Sequence, residues 1–400
     1  MELGPIFRAL LRNKTRFALI SLEVALTLAI IVNCVNMMQD LLSKMERPTG
    51  IVEAEILVVR STLFAPEFRE EGYRENSRKA DLALLRALPG VKAADSFDQI
   101  PLSGSGNSSG YKPLHSKMDT LPCNVFTTGV DGMATLGVRL VQGRNLVQSD
   151  INKADSKNVI ITKAYADSLF PDGDALGKLI QGREPENPHT IVGIIEQMHG
   201  SWPNWRYLNN VMLRPGEPGS FNWGHRYMVR VDPAALSSLI PVIEKDLLTS
   251  NNGRNVEIRP LAEIKARTYE ANLAIARMLA AVIGLLLFVT ALGIVGITSF
   301  SVTERTHHIG TRRALGARRA DILRYFLTEN WAITTIGLAV GLALTYGLNY
   351  ALVQYLDSVK LQPRLVVFAI LGMWLIGQAA TFLPAWKGAR TSPAVATRNV

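Results

Sequence analysis

The sequence predicts a membrane protein of mixed class: four transmembrane α-helices joined to one α+β extracytoplasmic domain carried on a two-helix stalk. Three observations lead there. First, 48% of the 400 residues are hydrophobic, too many for an ordinary soluble chain, while 19% are charged, too many for a wholly membrane-buried one. Second, the apolar residues gather into four runs, 17–38, 278–300, 331–356 and 365–383, long enough to cross the hydrocarbon layer. Third, the basic residues crowd into the short segments beside those runs: Arg8, Arg12, Lys14 and Arg16 before the first, six arginines between the second and third, and Lys387, Arg390 and Arg398 after the fourth. Such segments stay in the cytoplasm because translocating their charge is costly. The net charge of +9 is therefore a record of topology, and nucleic acid is set aside as a partner.

The first element, residues 1–16, reads as a cytoplasmic lead. The run at 17–38 has the basic flank of a signal peptide but no small-x-small cleavage site after it, and it continues through Asn33, Asn36 and Gln39 to Leu42. A retained signal-anchor helix follows from that. Glu23 sits within it, where a carboxylate costs a few kcal/mol. It can pair inside the protein or reach back to the interface beside Arg12 or Arg16, and its shallow depth favours the second.

Residues 39–270 alternate strand and helix signals. Glu55–Val59, Val91–Ile100, Leu121–Val130, Val159–Ile161, Thr190–Ile195, Tyr227–Val231 and Val256–Ile258 read as strands; helices fall at 80–88, up to Phe170, and from Asp232-Pro233 to Leu248. Pro101–Tyr111 is Gly/Ser-rich and reads as a flexible loop. The two cysteines, Cys34 and Cys123, fall in different parts of the chain and form no disulfide framework.

After Pro260, Leu261, Ile264, Thr268, Ala271 and Ile275 recur every three or four residues, the stripe of an amphipathic helix. The spacing predicts one unbroken helix into the 278–300 span, itself about 34 Å long at the helical rise. A stripe so narrow implies a helical partner, and the extension of the first span through Leu42 is the natural one. These two helices make the expected stalk.

The segment 301–330 interleaves Ile309, Leu315, Ile322, Leu323, Phe326 and Leu327 with its arginines and carries Gly310 and Gly316. It reads as a short amphipathic helix, a turn near Gly316, and a second helix entering the next span. In that span Gly337 and Gly341 lie four apart and permit close helix approach. Asp357–Arg364 is a short outer loop, the fourth span ends at Pro384, and residues 384–400 form a cytoplasmic tail.

No catalytic constellation is visible. Gly173–Lys178 is one residue short of a phosphate-binding loop and is followed by Leu179, which cannot supply the magnesium hydroxyl. The six histidines show no metal-ligand spacing, and there is no nucleophile elbow. The chain is expected to be no enzyme and to bind no metal.

The order of residues in 301–330 carries a resemblance. Glu304-Arg305, His308-Ile309-Gly310, Arg312-Arg313-Ala314-Leu315-Gly316-Ala317-Arg318, then Asp321-Ile322 and Glu329, resemble the coupling segment of MacB/FtsX-type ABC transporter permeases. His308 stands where that family often has an acid. The soluble region resembles the family's periplasmic core domain through Leu88-Pro89-Gly90-Val91, Leu136-Gly137-Val138, Gly143-Arg144, Leu176-Gly177-Lys178 and Ile191-Val192-Gly193. The resemblance implies a porter-like subdomain built from both ends of that region with a strand-rich subdomain inserted. It further implies a bacterial inner-membrane protein with both termini cytoplasmic, working as two permease copies, identical or homologous, with two copies of an ABC ATP-binding subunit. ATP and magnesium would sit on that ATPase, and Glu304, Arg305, His308, Ile309, Gly310 and Arg312 to Arg318 would be its docking residues. The MacB branch implies export with a periplasmic adaptor and outer-membrane channel. The FtsX branch implies a non-transporting regulator of cell-wall hydrolases, and lipoprotein extraction is a further variant.

Overall fold

The structure, a computed structural model, describes residues 14–152, 157–182, 187–218, 224–356 and 359–390. Arg8, Arg12 and Arg398 lie outside these residues. The chain divides into a globular unit, Glu46–Ala271, and a membrane unit drawn from Met1–Met45 and Asn272–Val400. Helix α1 (Lys14–Glu46) opens the described chain.

In the globular unit the order is β1 (Ile56–Leu63), α2 (Glu71–Ala87), β2 (Val91–Ser96), β3 (Ser108–Pro113), β4 (Leu121–Thr128), α3 (Gly132–Leu136), β5 (Leu140–Gly143), α4 (Gln148–Asn152), β6 (Asn158–Thr162) and α5 (Lys163–Leu169). There follow β7 (Leu179–Gln181), β8 (His189–Ile195), β9 (Val211–Pro215), β10 (Gly224–Val231), α6 (Leu236–Ser250), β11 (Arg254–Pro260) and α7 (Leu261–Thr268). Strands from the two ends of the unit make an antiparallel sheet in the order β11-β1-β10-β2. Its alternating residues Leu57, Val59, Tyr227 and Val229 bury against Leu85 of α2 and Ile243 and Leu247 of α6. The inserted middle forms a second sheet, β5-β8-β6-β9-β4-β3-β7, in which β7 also pairs with β8, so six of its strands close into a ring. One set of ring residues, Cys123, Val125, Val159, Ile161, Ile191 and Met212, packs with Tyr165 and Leu169 of α5. The opposite set, Phe126, Ile160 and Leu213, meets Val58 and Met228 of the first sheet in a core shared by both sheets.

One loop expectation changes here, and one strand is added. Ser108–Pro113 is not a flexible loop but strand β3, because Tyr111 buries and the backbone pairs with β4 and β7. Strand β9, unread in the sequence, sits in the centre between β6 and β4.

The stalk is also corrected. The stripe after Pro260 does not run along one unbroken helix: α7 stops at Thr268, Tyr269 turns the chain, and α8 (Glu270–Glu304) starts afresh. Leu261 and Ile264 point into the globular core, where they join Val58 and Met228. The Thr268 hydroxyl bonds back to the Ile264 carbonyl at 2.9 Å. Beyond the turn the buried face moves to Asn272 and Ala276, leaving Ala271 and Ile275 exposed. Spacing by three and four describes each helix separately, and the turn resets the phase between them.

The membrane unit continues with α9 (Thr306–Ala314), α10 (Arg319–Leu356) and α11 (Pro363–Ala389). Among the described residues four helices, α1, α8, α10 and α11, are long and apolar enough to span a bilayer. Helix α1 is the most enclosed of the four, burying Val24, Ala25, Leu28, Val32 and Asn33. It meets α10 at two glycines: a Cβ on Gly337 would lie 2.8 Å from the Ser21 carbonyl, and one on Gly341 would lie 2.9 Å from Ala25 Cα. Only glycine lets the backbones come this close. Polar groups lock the same interface. Asn33 donates to the Thr345 carbonyl at 3.2 Å, and Asn349 donates to Asn33 Oδ1 at 3.1 Å. Asn349 Oδ1 accepts the Leu361 N–H at 3.2 Å, and Asn36 donates to the Val359 carbonyl at 3.0 Å. Thr27 and Thr290 join hydroxyls at 2.8 Å between α1 and α8.

Glu23 lies on the side of α1 next to α8. Its carboxylate lies against the backbone of α8, so close that a Cβ on Gly293 would sit 2.6 Å from Oε2. A missing side chain on α8 opens room for the carboxylate beside Gly293. Helix α11 carries Pro384 as a buried interior residue and runs on to Ala389.

Candidate functional site

The site is the basic hairpin between α8 and α10. Helix α9 forms because Ile309 and Gly310 give it one face that buries, while His307, His308, Thr311 and Arg312 stay outside. Gly316 ends it with φ +99°, a left-handed conformation in which the N–H groups of Gly316 and Ala317 fold back onto the Arg313 and Arg312 carbonyls at 3.1 and 3.0 Å. Asp321 then starts α10 by accepting the Arg318 N–H at 2.9 Å, satisfying a donor the helix leaves open.

The hairpin is fixed to the membrane helices in two ways. Ile309 packs with Ile322 and Phe326 of α10 and with Ala385 and Ala389 of α11. Arg305, at the α8–α9 junction, makes a two-pronged pair with Glu329 of α10, Nη1 to Oε2 at 2.9 Å and Nη2 to Oε1 at 3.1 Å. The same Nη1 reaches the Tyr325 hydroxyl at 3.1 Å. Arg312 lies 5.3 Å above the Tyr325 ring, and Arg313 donates to the Ala389 carbonyl at 3.3 Å. A bidentate pair fixes direction as well as distance. The ends of α8, α10 and α11 are thus held to one short helix.

The residues singled out in the sequence fall into two groups. Arg305, Ile309, Gly310 and Arg313 face inward and hold the hairpin; Glu304, His308, Arg312, Ala314, Leu315, Gly316 and Arg318 are exposed, and Ala317 lies between. Leu315 is 84% exposed, an apolar knob at the turn, with the exposed Arg312, Arg318 and Arg319 within four residues of it in the chain. Sequence reasoning missed the supports from α11, Ala385 and Ala389, whose only signal is a pair of small residues four apart in PAWKGAR. It also missed that Tyr325 completes the Arg305 pair. Among the described residues no cluster of three or more His, Cys, Asp or Glu side chains could hold a metal ion. The arrangement ties one short helix to the ends of three spanning helices and leaves Leu315 exposed at its turn.

Comparison with known proteins gives the following. A family model described as MacB-like periplasmic core domain matches residues 17–238, and one described as FtsX-like permease C-terminal matches residues 280–393. The macrolide export ATP-binding/permease protein MacB of Chromobacterium violaceum is 28% identical over 76% of this chain and 48% of its own length. The protein of that name from Neisseria meningitidis serogroup B is 26% identical over 96% of this chain and 59% of its own. The chain spans about half the length of these curated relatives. An uncharacterized ABC transporter permease of Bacillus subtilis, YvrN, is 26% identical over 98% of both chains. Among solved structures, the periplasmic region of MacB from Actinobacillus actinomycetemcomitans is similar with a TM-score of 0.38 and 14% identity, over 55% of this chain and 95% of that one. With the core-domain match covering more than half of the residues and the permease match covering the last three spanning helices and the hairpin, the chain belongs to the MacB-type family of ABC transporter permeases.

Proposed function

We propose that this permease converts ATP binding and hydrolysis on a separate ABC ATP-binding subunit into motion of the globular unit on the outer side of the bacterial cytoplasmic membrane, and that this motion drives export. In this reading two permease copies, identical or homologous, work with two ATPase copies. ATP and magnesium stay on the ATPase, and this chain performs no chemistry. The arginines beside the spans keep both termini and the hairpin in the cytoplasm. An adaptor and outer-membrane channel would carry cargo onward. The compound globular unit, with a ring-forming sheet inserted into a four-stranded one, suits export better than hydrolase regulation.

The observation that carries the reading is Leu315. A leucine 84% exposed among arginines, at the tip of a hairpin braced by the Arg305–Glu329 pair, has the anatomy of an anchor that fills a partner's pocket. Burying such a side chain contributes about 1.5–3 kcal/mol, or roughly 10- to 100-fold in affinity. His308 in place of the acid removes one charge from the rim and leaves the apolar knob to dominate. The test is co-reconstitution with the ATPase subunit in proteoliposomes. Leu315→Asp, and separately Arg312, Arg313 and Arg318 all changed to Ala, are expected to abolish permease stimulation of ATP turnover while the chain stays folded. Unchanged stimulation in Leu315→Asp, or labelling of Leu315→Cys by an impermeant reagent outside intact cells, overturns the reading.

A further inference from the structure

In the globular unit, Ser61 of β1 stands directly opposite His225 of β10. Residues paired in this way project their side chains to the same side of the sheet. Both are buried, at 1% and 4% exposure. Among the described residues, neither the Ser61 hydroxyl nor either ring nitrogen of His225 finds a hydrogen-bond partner. The Arg74 main-chain carbonyl stands near the imidazole without reaching bonding geometry. Buried polar groups are nearly always bonded, because a bare one forfeits its hydration and gains nothing in return.

Both side chains line a cavity of about 470 Å³ at the start of β10, a volume in the range of small-ligand sites. Thr62, Ser105 and Asn107 add two hydroxyls and an amide to its walls. The charged residues of the cavity are already offset. Arg60 stands in register with Glu257 of β11, and the Asp98 carboxylate opposes the charge of Arg226, which also donates to the Asp98 main-chain carbonyl. Burial, with Arg78, Arg254 and Arg74 nearby, pushes His225 down to about 4, so the ring is neutral near pH 7. A neutral imidazole presents one N–H donor and one acceptor nitrogen, and a serine hydroxyl can act as either. Spare donors beside spare acceptors, in a cleft whose charges are matched, suit hydroxyl groups, each of which gives and takes a hydrogen bond.

We propose that this cleft binds a neutral polyhydroxylated ligand, about one sugar residue in size, whose hydroxyls complete the hydrogen bonding of Ser61 and His225. Thr62, Ser105 and Asn107 hold the hydroxyls nearer the mouth. The inference goes beyond the function proposed above. No ATPase enters its test, so the two fail separately.

The experiment is isothermal titration of the full chain in phosphatidylcholine nanodiscs with methyl α-D-glucoside and, separately, myo-inositol. Saturable binding of at least one probe is expected, with affinity falling about fivefold or more in Ser61→Ala and in His225→Phe. It is expected to stay unchanged in His115→Asn, at an exposed histidine outside the cleft. The Ser61 hydroxyl bonds nothing in the free protein, so Ser61→Ala should keep the wild-type thermal midpoint without ligand, which confirms that this variant folds. Affinity should also hold between about 50 and 500 mM NaCl, as that of an ionic ligand would not. Adding monogalactosyl diacylglycerol to the nanodiscs separates the two sources of such a ligand: competition marks a membrane glycolipid, and undiminished binding marks a free sugar. No saturable binding of either probe at about 50 mM, where even a millimolar site fills, overturns the proposal. So does full affinity in both Ser61→Ala and His225→Phe, or an equal loss in His115→Asn.

Discussion

Replacing Glu329 with Gln tests whether the hairpin is braced to the spanning helices. The Arg305 and Glu329 side chains are only 19% and 10% exposed and share two charge-assisted hydrogen bonds, at 2.9 and 3.1 Å. Removing one partner of a fully buried pair costs about 3–5 kcal/mol. Gln keeps the shape and one acceptor, and Arg305 still reaches Tyr325, so about 2 kcal/mol is the expected loss. That is roughly a 30-fold rise in the open population of the hairpin. Hydrogen exchange read by mass spectrometry should show amides of Thr306–Ala314 exchanging about 30-fold faster, while β1 and β10 of the globular unit keep their rates. A charge-swapped pair, Arg305→Glu with Glu329→Arg, should recover part of the protection. Exchange in α9 indistinguishable from wild type would refute the reasoning, because the hairpin would then be held by the Ile309 cluster alone.

Other outcomes follow from the same structure. Gly341→Leu forces a side chain into a place where even a Cβ meets Ala25 Cα at 2.9 Å. It should separate α1 from α10 and lower the thermal midpoint in detergent by an amount matching about 1–3 kcal/mol, and an unchanged midpoint counts against the close approach. Stability of the globular unit should fall in acid. Burial, aided by Arg47 and Lys265 around His199 and by Arg78, Arg254 and Arg74 around His225, pushes both imidazoles down to about 4. Their folded values lie below the unfolded one near 6.5, so this stability is intact above about pH 6.5 and is lost as pH falls toward 4, by up to about 1.4 kcal/mol per unit for each group. Asp95 works the opposite way between about pH 6 and 4, because burial raises it to about 6. Urea midpoints followed by tryptophan fluorescence should therefore drop from pH 6.5 to 4 in the wild type and rise in a His199→Gln, His225→Gln double variant. A double variant that loses stability as the wild type does would refute the assignment.

Much of this architecture is legible in the residues, and the failures have physical causes. Bilayer spans are written in composition, which no tertiary contact can override, so α1, α8, α10 and α11 stand out. The bend at Gly316 is legible because only a glycine takes φ +99° without strain. The break at Tyr269 is illegible: tyrosine is no turn signal, and the stripe from Leu261 to Ile275 keeps its spacing across it. What ends α7 is the demand of the globular core for Leu261 and Ile264, a tertiary fact. Strand β9 hides for a related reason. VMLRP is too short for periodicity to declare itself, and its neighbours β6 and β4 lie about fifty and ninety residues away in the chain. Glu23 shows the same limit, since the space beside Gly293 that admits its carboxylate belongs to another helix. In the hairpin the exposed residues could be read from charge, whereas the braces Glu329, Ala385 and Ala389 needed the folded positions of α10 and α11.

Helix α1 leaves the ribosome long before the helices that enclose it. Its Asn33 waits for Thr345 and Asn349, and its Asn36 for Val359, groups translated more than three hundred residues later. During that interval two amides and a carboxylate lodge in lipid without their eventual partners, tolerated because the helix's mean hydropathy of 2.3 outweighs them. Biogenesis of this permease therefore passes through a half-finished state in which the amides of its first span are unguarded. Completion of the last helical pair is what turns that span from a liability to the nascent chain into the axis of the finished one.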